Sequence, residues 1–141
     1  MQKPLIPALF ICLLFAFGCG KSTDDQPENA DTWVVSLLEF ENVDKDLTDS
    51  TSLFTGYEFE FNADNTIAII NPNGIAQEGK WENPSSAVYE IVVAKPVPPV
   101  VYLQGTWEVV EHSSDVLELK VTIDDPVNVF AKSRRVKFIK L

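Results

Sequence analysis

From residue 32 onward, apolar and polar residues alternate along the chain in short runs. The clearest run, residues 57–61, reads YEFEF and places three aromatic side chains on one face and two glutamates on the other. Residues 116–123 repeat the alternation, with Glu118 predicted to face outward and four apolar side chains inward: Leu117, Leu119, Val121 and Ile123. Because successive side chains point to opposite faces of a strand, this pattern predicts β-strands with one buried face.

Eight strands follow from these runs and from the turn residues between them. They are predicted at residues 32–41, 55–62, 66–71, 77–82, 87–94, 100–111, 115–123 and 129–140. Most links are short and rich in Asn, Asp, Ser, Pro and Gly, so consecutive strands are expected to be antiparallel neighbours. The two longer breaks, 42–54 and 95–99, are predicted to be loops.

A sheet of eight antiparallel strands has two exposed edges unless it closes on itself. The predicted fold class is therefore all-β, an eight-stranded up-and-down antiparallel barrel, with a β-sandwich as the alternative. A barrel of this size holds either packed side chains or one small ligand.

The first residues have the composition of a secretory signal. Lys3 precedes an apolar run at 5–17, whose 13 residues would span roughly 20 Å as a helix against about 30 Å of bilayer hydrocarbon. The run ends in AFGC at 16–19, which resembles a lipobox and implies cleavage after residue 18 and acylation of Cys19. The alternatives are an ordinary secretory signal with Cys19 a bystander, or a plain membrane anchor.

Three segments follow: a lipoprotein signal peptide at 1–18, a lipidated flexible tether at 19–31 and a barrel domain at 32–141. Residues 20–31 read GKSTDDQPENAD, which cannot bury enough apolar surface to offset the entropy of ordering. The acids Asp24, Asp25 and Glu28 resemble a signal for export to the cell surface, or they belong to a solvated spacer.

The charge of the chain narrows the classes of partner. The 141 residues carry a formal net charge of −10, and removal of residues 1–18 would leave 123 residues and a charge of −11. A nucleic-acid partner is not expected, because a phosphate backbone requires a basic face.

Several short stretches together resemble the small lipocalin-like lipoproteins of Gram-negative bacteria. They are WVV at 33–35, FTGYEFEFNADNT at 54–66, EGKW at 78–81, LQGTWEVV at 103–110, LEL at 117–119 and FIKL at 138–141. The resemblance covers residues 32–141 and implies a lipocalin-like barrel rather than a particular ligand. At the turn of the 54–66 stretch, Asn65 stands where the family usually has glycine.

The sequence offers no convincing catalytic or metal site. His112 is predicted to lie in a turn with its neighbours 113–115, which cannot form the line of nucleophile, base and orienting acid that a triad requires. The acidic stretch 44–49 lacks the glycine and glutamate of a calcium-binding loop. Glu58 and Glu60 lie on one strand face instead of opposing each other across a cleft. We therefore expect no enzymatic activity, no metal and no cofactor.

Two sets of residues are candidates for packing or for binding. Trp33, Trp81 and Trp107 are predicted to pack in the core, and the alternative is that they line a carbohydrate or lipid pocket. In the last strand, Val136 and Phe138 alternate with polar residues. The basic cluster there is predicted to be a solvated strand face, with anionic lipid, lipopolysaccharide or the acidic loop as alternative partners: Arg134, Arg135, Lys137 and Lys140.

These observations predict a lipid-anchored, non-enzymatic binding or interaction module of the cell envelope. It is expected to be a monomeric outer-membrane lipoprotein, on the periplasmic face or the cell surface, that meets the membrane through Cys19. Its further partner would be a small hydrophobic ligand, a glycan or a protein. The alternatives are a carrier of a small hydrophobic ligand inside the barrel, and a structural surface lipoprotein or inhibitor-like module.

Overall fold

Nine antiparallel strands make up the sheet in the computed structural model, which describes residues 31–123 and 132–141. Their bounds are β1 Thr32–Glu41, β2 Leu47–Asp49, β3 Glu58–Phe61, β4 Thr66–Ile70, β5 Ala76–Ser85, β6 Val88–Val93, β7 Gly105–His112, β8 Val116–Thr122 and β9 Ser133–Lys140. Strands β3 to β9 follow one another in sequence order around the barrel.

Strand β1 closes the barrel. It pairs with β9 from Trp33↔Lys140 to Glu41↔Ser133, and its first two residues pair with β3. The predicted eight-stranded up-and-down barrel is therefore confirmed, and the sandwich alternative is wrong.

The prediction of a loop over 42–54 is wrong in its second half. Strand β2 pairs with the last three residues of β1, and a 3-10 helix follows at Thr51–Phe54. The Thr51 hydroxyl accepts a hydrogen bond from the Leu38 amide, and the Leu38 carbonyl accepts one from the Ser50 amide. This segment covers the side of β1 between its pairings with β2 and β3, and it buries Phe54 in the core. Side-chain hydrogen bonds of this kind leave no periodic signal in a sequence.

The predicted strand 100–111 begins too early. Residues Val100–Leu103 form a 3-10 helix whose two ends, Val100 and Leu103, are fully buried because residues three apart share a face. The strand starts only at Gly105, whose φ of +122° suits glycine. Strand β5 in turn runs three residues past its predicted end at 82, through a register irregularity between Glu82 and Ser85.

The inward faces of the strands form the core. The alternation predicted for the last two strands is confirmed, since Leu117, Leu119, Val136 and Phe138 are buried. The largest fully buried side chains are Trp107, Phe59, Phe138, Leu38, Ile67, Ile69, Ile91, Leu103, Leu119, Val100 and Val136.

The barrel has two distinct ends. At the terminal end, defined by the turns 62–65, 86–87 and 113–115, the Leu141 amide donates to the Thr32 carbonyl at 2.9 Å. Asn65 there adopts a φ of +66°, a conformation that asparagine tolerates. The opposite end, which we call the loop end, carries the segments 42–57, 71–75 and 94–104.

Candidate functional site

Aromatic rings occupy the barrel interior near the terminal end. The Phe61 ring on β3 lies 6.2 Å from Trp33, 6.0 Å from Trp81, 6.2 Å from Tyr89 and 5.5 Å from Phe138, measured between ring centroids. These rings come from β1, β5, β6 and β9, so one side chain is in contact with four other strands. Trp81 also stacks on Tyr89 at 5.3 Å, and burial raises the pKa of the Tyr89 phenol.

Trp107 and Arg134 lie together in the interior near the loop end. Trp107 is 1% exposed, and its indole nitrogen donates to the Leu103 carbonyl at 2.9 Å. The Arg134 guanidinium lies 5.4 Å from the centre of the Trp107 ring and donates to the Tyr102 carbonyl at 2.9 Å. Desolvation lowers the pKa of Arg134, and its Nε is buried without a hydrogen-bond partner in the described residues. The face of the indole supplies a favourable surface for this cation.

The tryptophan prediction is confirmed by this packing. Trp107 belongs to the buried core, and Trp33 and Trp81 are partly buried against it. The Trp81 indole nitrogen donates to the Asn62 carbonyl at 3.1 Å.

A groove of about 550 Å³ lies on the outer wall of the barrel across β4, β5 and β6. It lies outside because Thr66, Ala68 and Val92, which line it, alternate along β4 and β6 with the buried Ile67, Ile69 and Ile91. The groove is lined by Asn62, Thr66, Ile67, Ala68, Glu78, Gly79, Lys80, Val92 and Ala94. We call this feature the outer-wall groove; most of its floor residues are small.

Gly79 is the point of closest approach beneath the groove. It pairs with Ile67 on β4 and with Val93 on β6. A Cβ atom at this position would lie 2.5 Å from the Val92 carbonyl oxygen and 2.9 Å from a Val93 methyl carbon. A larger residue would therefore push the strands apart and change the floor of the groove.

The wall around the groove is acidic. The outward side chains of β3 to β7 include six glutamates: Glu58, Glu60, Glu78, Glu82, Glu90 and Glu108. Lys80 is the single lysine or arginine in those five strands. Glu58 and Glu60 face outward as predicted, and they line no cleft with an opposing carboxylate in the described residues.

The opposite wall carries an ion-pair network around a buried glutamate, which the alternation of the sequence does not predict. Glu118 faces outward on β8 as predicted, yet it is only 4% exposed because Arg135 and Lys137 cover it. Lys137 lies 3.3 Å from Glu118 and 3.5 Å from Glu111. Glu118 lies directly opposite Lys137 in the pairing of β8 with β9. The opposite charges of the two residues are visible in the sequence, but the alternation alone does not give the register that brings them together.

The prediction that the basic cluster of the last strand is a solvated face holds only in part, because its side chains are partly exposed but have partners within the chain. Arg135 and Lys137 pair with Glu118, and Arg134 packs on Trp107. Lys140 lies 2.7 Å from Asp31 at the terminal end. These cations are engaged within the chain.

The acidic stretch 44–49 is used for turn formation. The Asn42 side chain accepts hydrogen bonds from the backbone amides of Asp44 and Asp46. Asp49 accepts two hydrogen bonds from Thr51, which lower the pKa of its carboxyl. Within residues 31–123 and 132–141, no group of three or more His, Cys, Asp or Glu side chains could hold a metal ion.

His112 was predicted to lie in a turn, but it is the last residue of β7. Its ring lies 6.3 Å from Tyr89, edge to face, and the turn follows at 113–115. The hydroxyl of Ser114 donates to Asp115 at 3.0 Å, a contact between neighbours in that turn.

Cys19, the signal segment 1–18 and all of the tether except Asp31 lie outside the described residues. In the part of the chain that is described, no helix has the length and apolar character needed to cross a membrane.

The described residues define a small closed β-barrel with an aromatic interior and an acidic, grooved outer wall. No protein-family model matches the chain, and no curated protein matches it. Among solved structures, the chain is similar to a DUF4847 family protein from Bacteroides vulgatus. The two share 18% sequence identity with a TM-score of 0.49, over 78% of this chain and 92% of the other.

Proposed function

We propose that the chain is a lipid-anchored, non-enzymatic binding or interaction module of the cell envelope, built on a lipocalin-like barrel. Its partner meets the outer surface. We favour the outer surface over the interior because of the position of Phe61, whose ring packs against four other rings inside the barrel. A carrier would need that space for its ligand. Trp107 and Arg134 occupy the other end of the interior.

The outer surface offers two regions suited to recognition. One is the outer-wall groove. The other is the loop end, where exposed apolar side chains occur in all three segments: Val43, Leu47, Leu53, Ile75, Val97, Val101 and Tyr102. Clusters of exposed apolar side chains are typical of interaction surfaces.

The anchor in this proposal is Cys19, and the barrel begins at the terminal end. A tether of 13 residues reaches at most about 45 Å when extended, and it joins the membrane to the terminal end of the barrel. The lipobox resemblance at 16–19 supports this arrangement, because acylation gives stable attachment through two or more chains.

Replacement of the acylated residue tests the anchor. Cys19→Ala removes the thiol that receives diacylglycerol, so we expect the protein to lose membrane partitioning and the acyl mass of its N-terminus. Cys12→Ala is the matched control, since it removes the other cysteine of the chain. An unchanged N-terminal mass in Cys19→Ala would contradict the lipoprotein assignment.

Lipid extraction tests the choice between surface and interior. Mass spectrometry of organic extracts of the purified Cys19→Ala protein is expected to show no lipid in stoichiometric amount. A stoichiometric apolar compound that survives purification would favour the carrier alternative.

A further inference from the structure

We infer that the outer-wall groove binds a small molecule that combines an apolar body with a protonated amine. This inference deepens the proposed function and rests on its placement of recognition on the outer surface. The evidence is the shape of the groove, the residues of its floor and the sign of the charge around it.

The groove has the size and lining of a small-molecule site. Its volume of about 550 Å³ lies within the range of about 300–1,000 Å³ that is usual for ligand pockets. Ala68 and Ala94 supply short side chains to the floor, Gly79 adds none, and Val92 is 49% exposed beside them. An apolar body that covers this floor would remove hydrocarbon from water.

Glu78 and Lys80 stand out from the floor. They lie on the same face of β5, two residues apart. Ala68 pairs with Glu78, and Lys80 pairs with Thr66 and Val92, so the neighbours across the strands are shorter than either. Neither charged side chain forms an ion pair with another described residue. Both are therefore available to a ligand.

The surroundings decide the sign of the ligand charge. The outward glutamates on β3 to β7 outnumber the single base of those strands, Lys80, and the whole chain has a net charge of −10. A surface with charges of one sign raises the local concentration of the opposite charge. An ammonium group is thus attracted to the wall and finds Glu78 inside the groove, whereas a carboxylate would meet only Lys80.

The backbone of the groove floor excludes an added peptide strand. Strand β5 pairs with β4 over Thr66↔Lys80 to Ile70↔Ala76, and with β6 over Gly79↔Val93 to Glu82↔Glu90. Its amide and carbonyl groups are used in those ladders, so an extended peptide cannot join the sheet here. Only side chains are therefore free to contact a ligand in the groove, and such contacts suit a compact ligand.

Three probes of equal chain length test the inference: decylamine and decanoate, each below its micelle concentration, and decan-1-ol below its solubility limit. Binding is measured by titration calorimetry on the full chain carrying Cys19→Ala, so that no acyl group competes. We expect decylamine to bind more tightly than decan-1-ol, and decanoate to bind most weakly. No saturable binding of any probe would overturn the inference, and so would a preference for decanoate.

Two substitutions on β5 have opposite expected effects. Glu78→Gln removes the carboxylate, so decylamine should bind about two- to fivefold more weakly, as for loss of an exposed ion pair. Lys80→Gln removes a repelling charge, so decylamine should bind more tightly by a similar factor. Asp44→Asn in the loop end is the matched control and should change nothing. Equal effects of all three variants would overturn a specific role for Glu78.

A substitution that fills the groove tests its location. Ala68→Trp places a large side chain on the outer face of a strand, where aromatic residues are well tolerated. We expect unchanged circular dichroism and loss of decylamine binding. Retained binding would place the ligand elsewhere and overturn the inference. Because these proteins lack the acyl group, the result is independent of whether Cys19 is lipidated in the cell.

Discussion

Buried Trp107 supports the side chain of Arg134 at the loop end. Trp107→Ala removes a fully buried ring and the surface on which the Arg134 guanidinium lies. We expect a loss of about 3–5 kcal/mol in the free energy of unfolding, measured by urea denaturation. Trp107→Phe should lose less, since it keeps a ring. A stable Trp107→Ala protein that no longer binds an apolar probe would instead mean that Trp107 lines an open site.

Glu118 is the residue whose environment departs most from its sequence pattern. Glu118→Gln leaves Arg135 and Lys137 without their shared carboxylate, although both cations are partly exposed and regain water. We expect a loss of about 1–2 kcal/mol in the free energy of unfolding, below the value for fully buried pairs. Glu111→Gln, on an exposed partner of the same lysine, should change it little. Equal losses would show that burial is not what distinguishes the two glutamates.

Tyr89 should make stability depend on alkaline pH. Burial favours the neutral phenol, so the unfolded chain loses this proton more readily than the folded one. Stability is therefore fully present below about pH 10 and falls as the pH rises beyond it. Tyr89→Phe should flatten the dependence of the denaturation midpoint on pH between about 9 and 11. An equally steep fall in that variant would assign the effect to other groups.

At the scale of the element, strands with plain alternation were predictable and the segments held by side chains were not. Residues 58–61 and 116–122 carry a two-residue period, and they form β3 and β8 within the strands predicted at 55–62 and 115–123. The helix Val100–Leu103 is equally apolar, but its position depends on the burial of Val100 and Leu103 and on the Trp107 hydrogen bond to Leu103. Burial and side-chain hydrogen bonds, which the alternation does not encode, decided the position of this helix.

The tether is the element with the least expected influence on stability. Its polar residues offer little apolar surface, and Asp31 forms only an exposed ion pair with Lys140. Deletion of residues 20–30 from the Cys19→Ala protein should leave the melting temperature within about two degrees, since 1 kcal/mol corresponds to about 4–8 °C for a domain of this size. Deletion that continues through Trp33, which pairs with Phe59 and Lys140, should lower it strongly. A fall of several degrees on the first deletion would show that the tether contacts the barrel.

For the whole molecule, closure of the barrel was predictable from the sequence. Eight antiparallel strands with short links leave the backbone groups of two edge strands unpaired unless the sheet closes. The outer-wall groove was not predictable. The sequence shows Ala68, Glu78 and Ala94 separately, but only the cross-strand register places them side by side. Gly79 likewise reads as an ordinary strand glycine until the distances to Val92 and Val93 are known.

The hydrogen bond from the Leu141 amide to the Thr32 carbonyl has a practical consequence for orientation. Because the first and last strands end side by side, the chain could be joined there through a few residues and opened elsewhere without a change in strand neighbours. Opening at the turn that holds Gly74 would give a circular permutant whose new N-terminus emerges from the loop end. A lipid attached to that terminus would tie the loop end, instead of the terminal end, of the same barrel to the membrane. Comparison of the two orientations would then show which end a partner must reach.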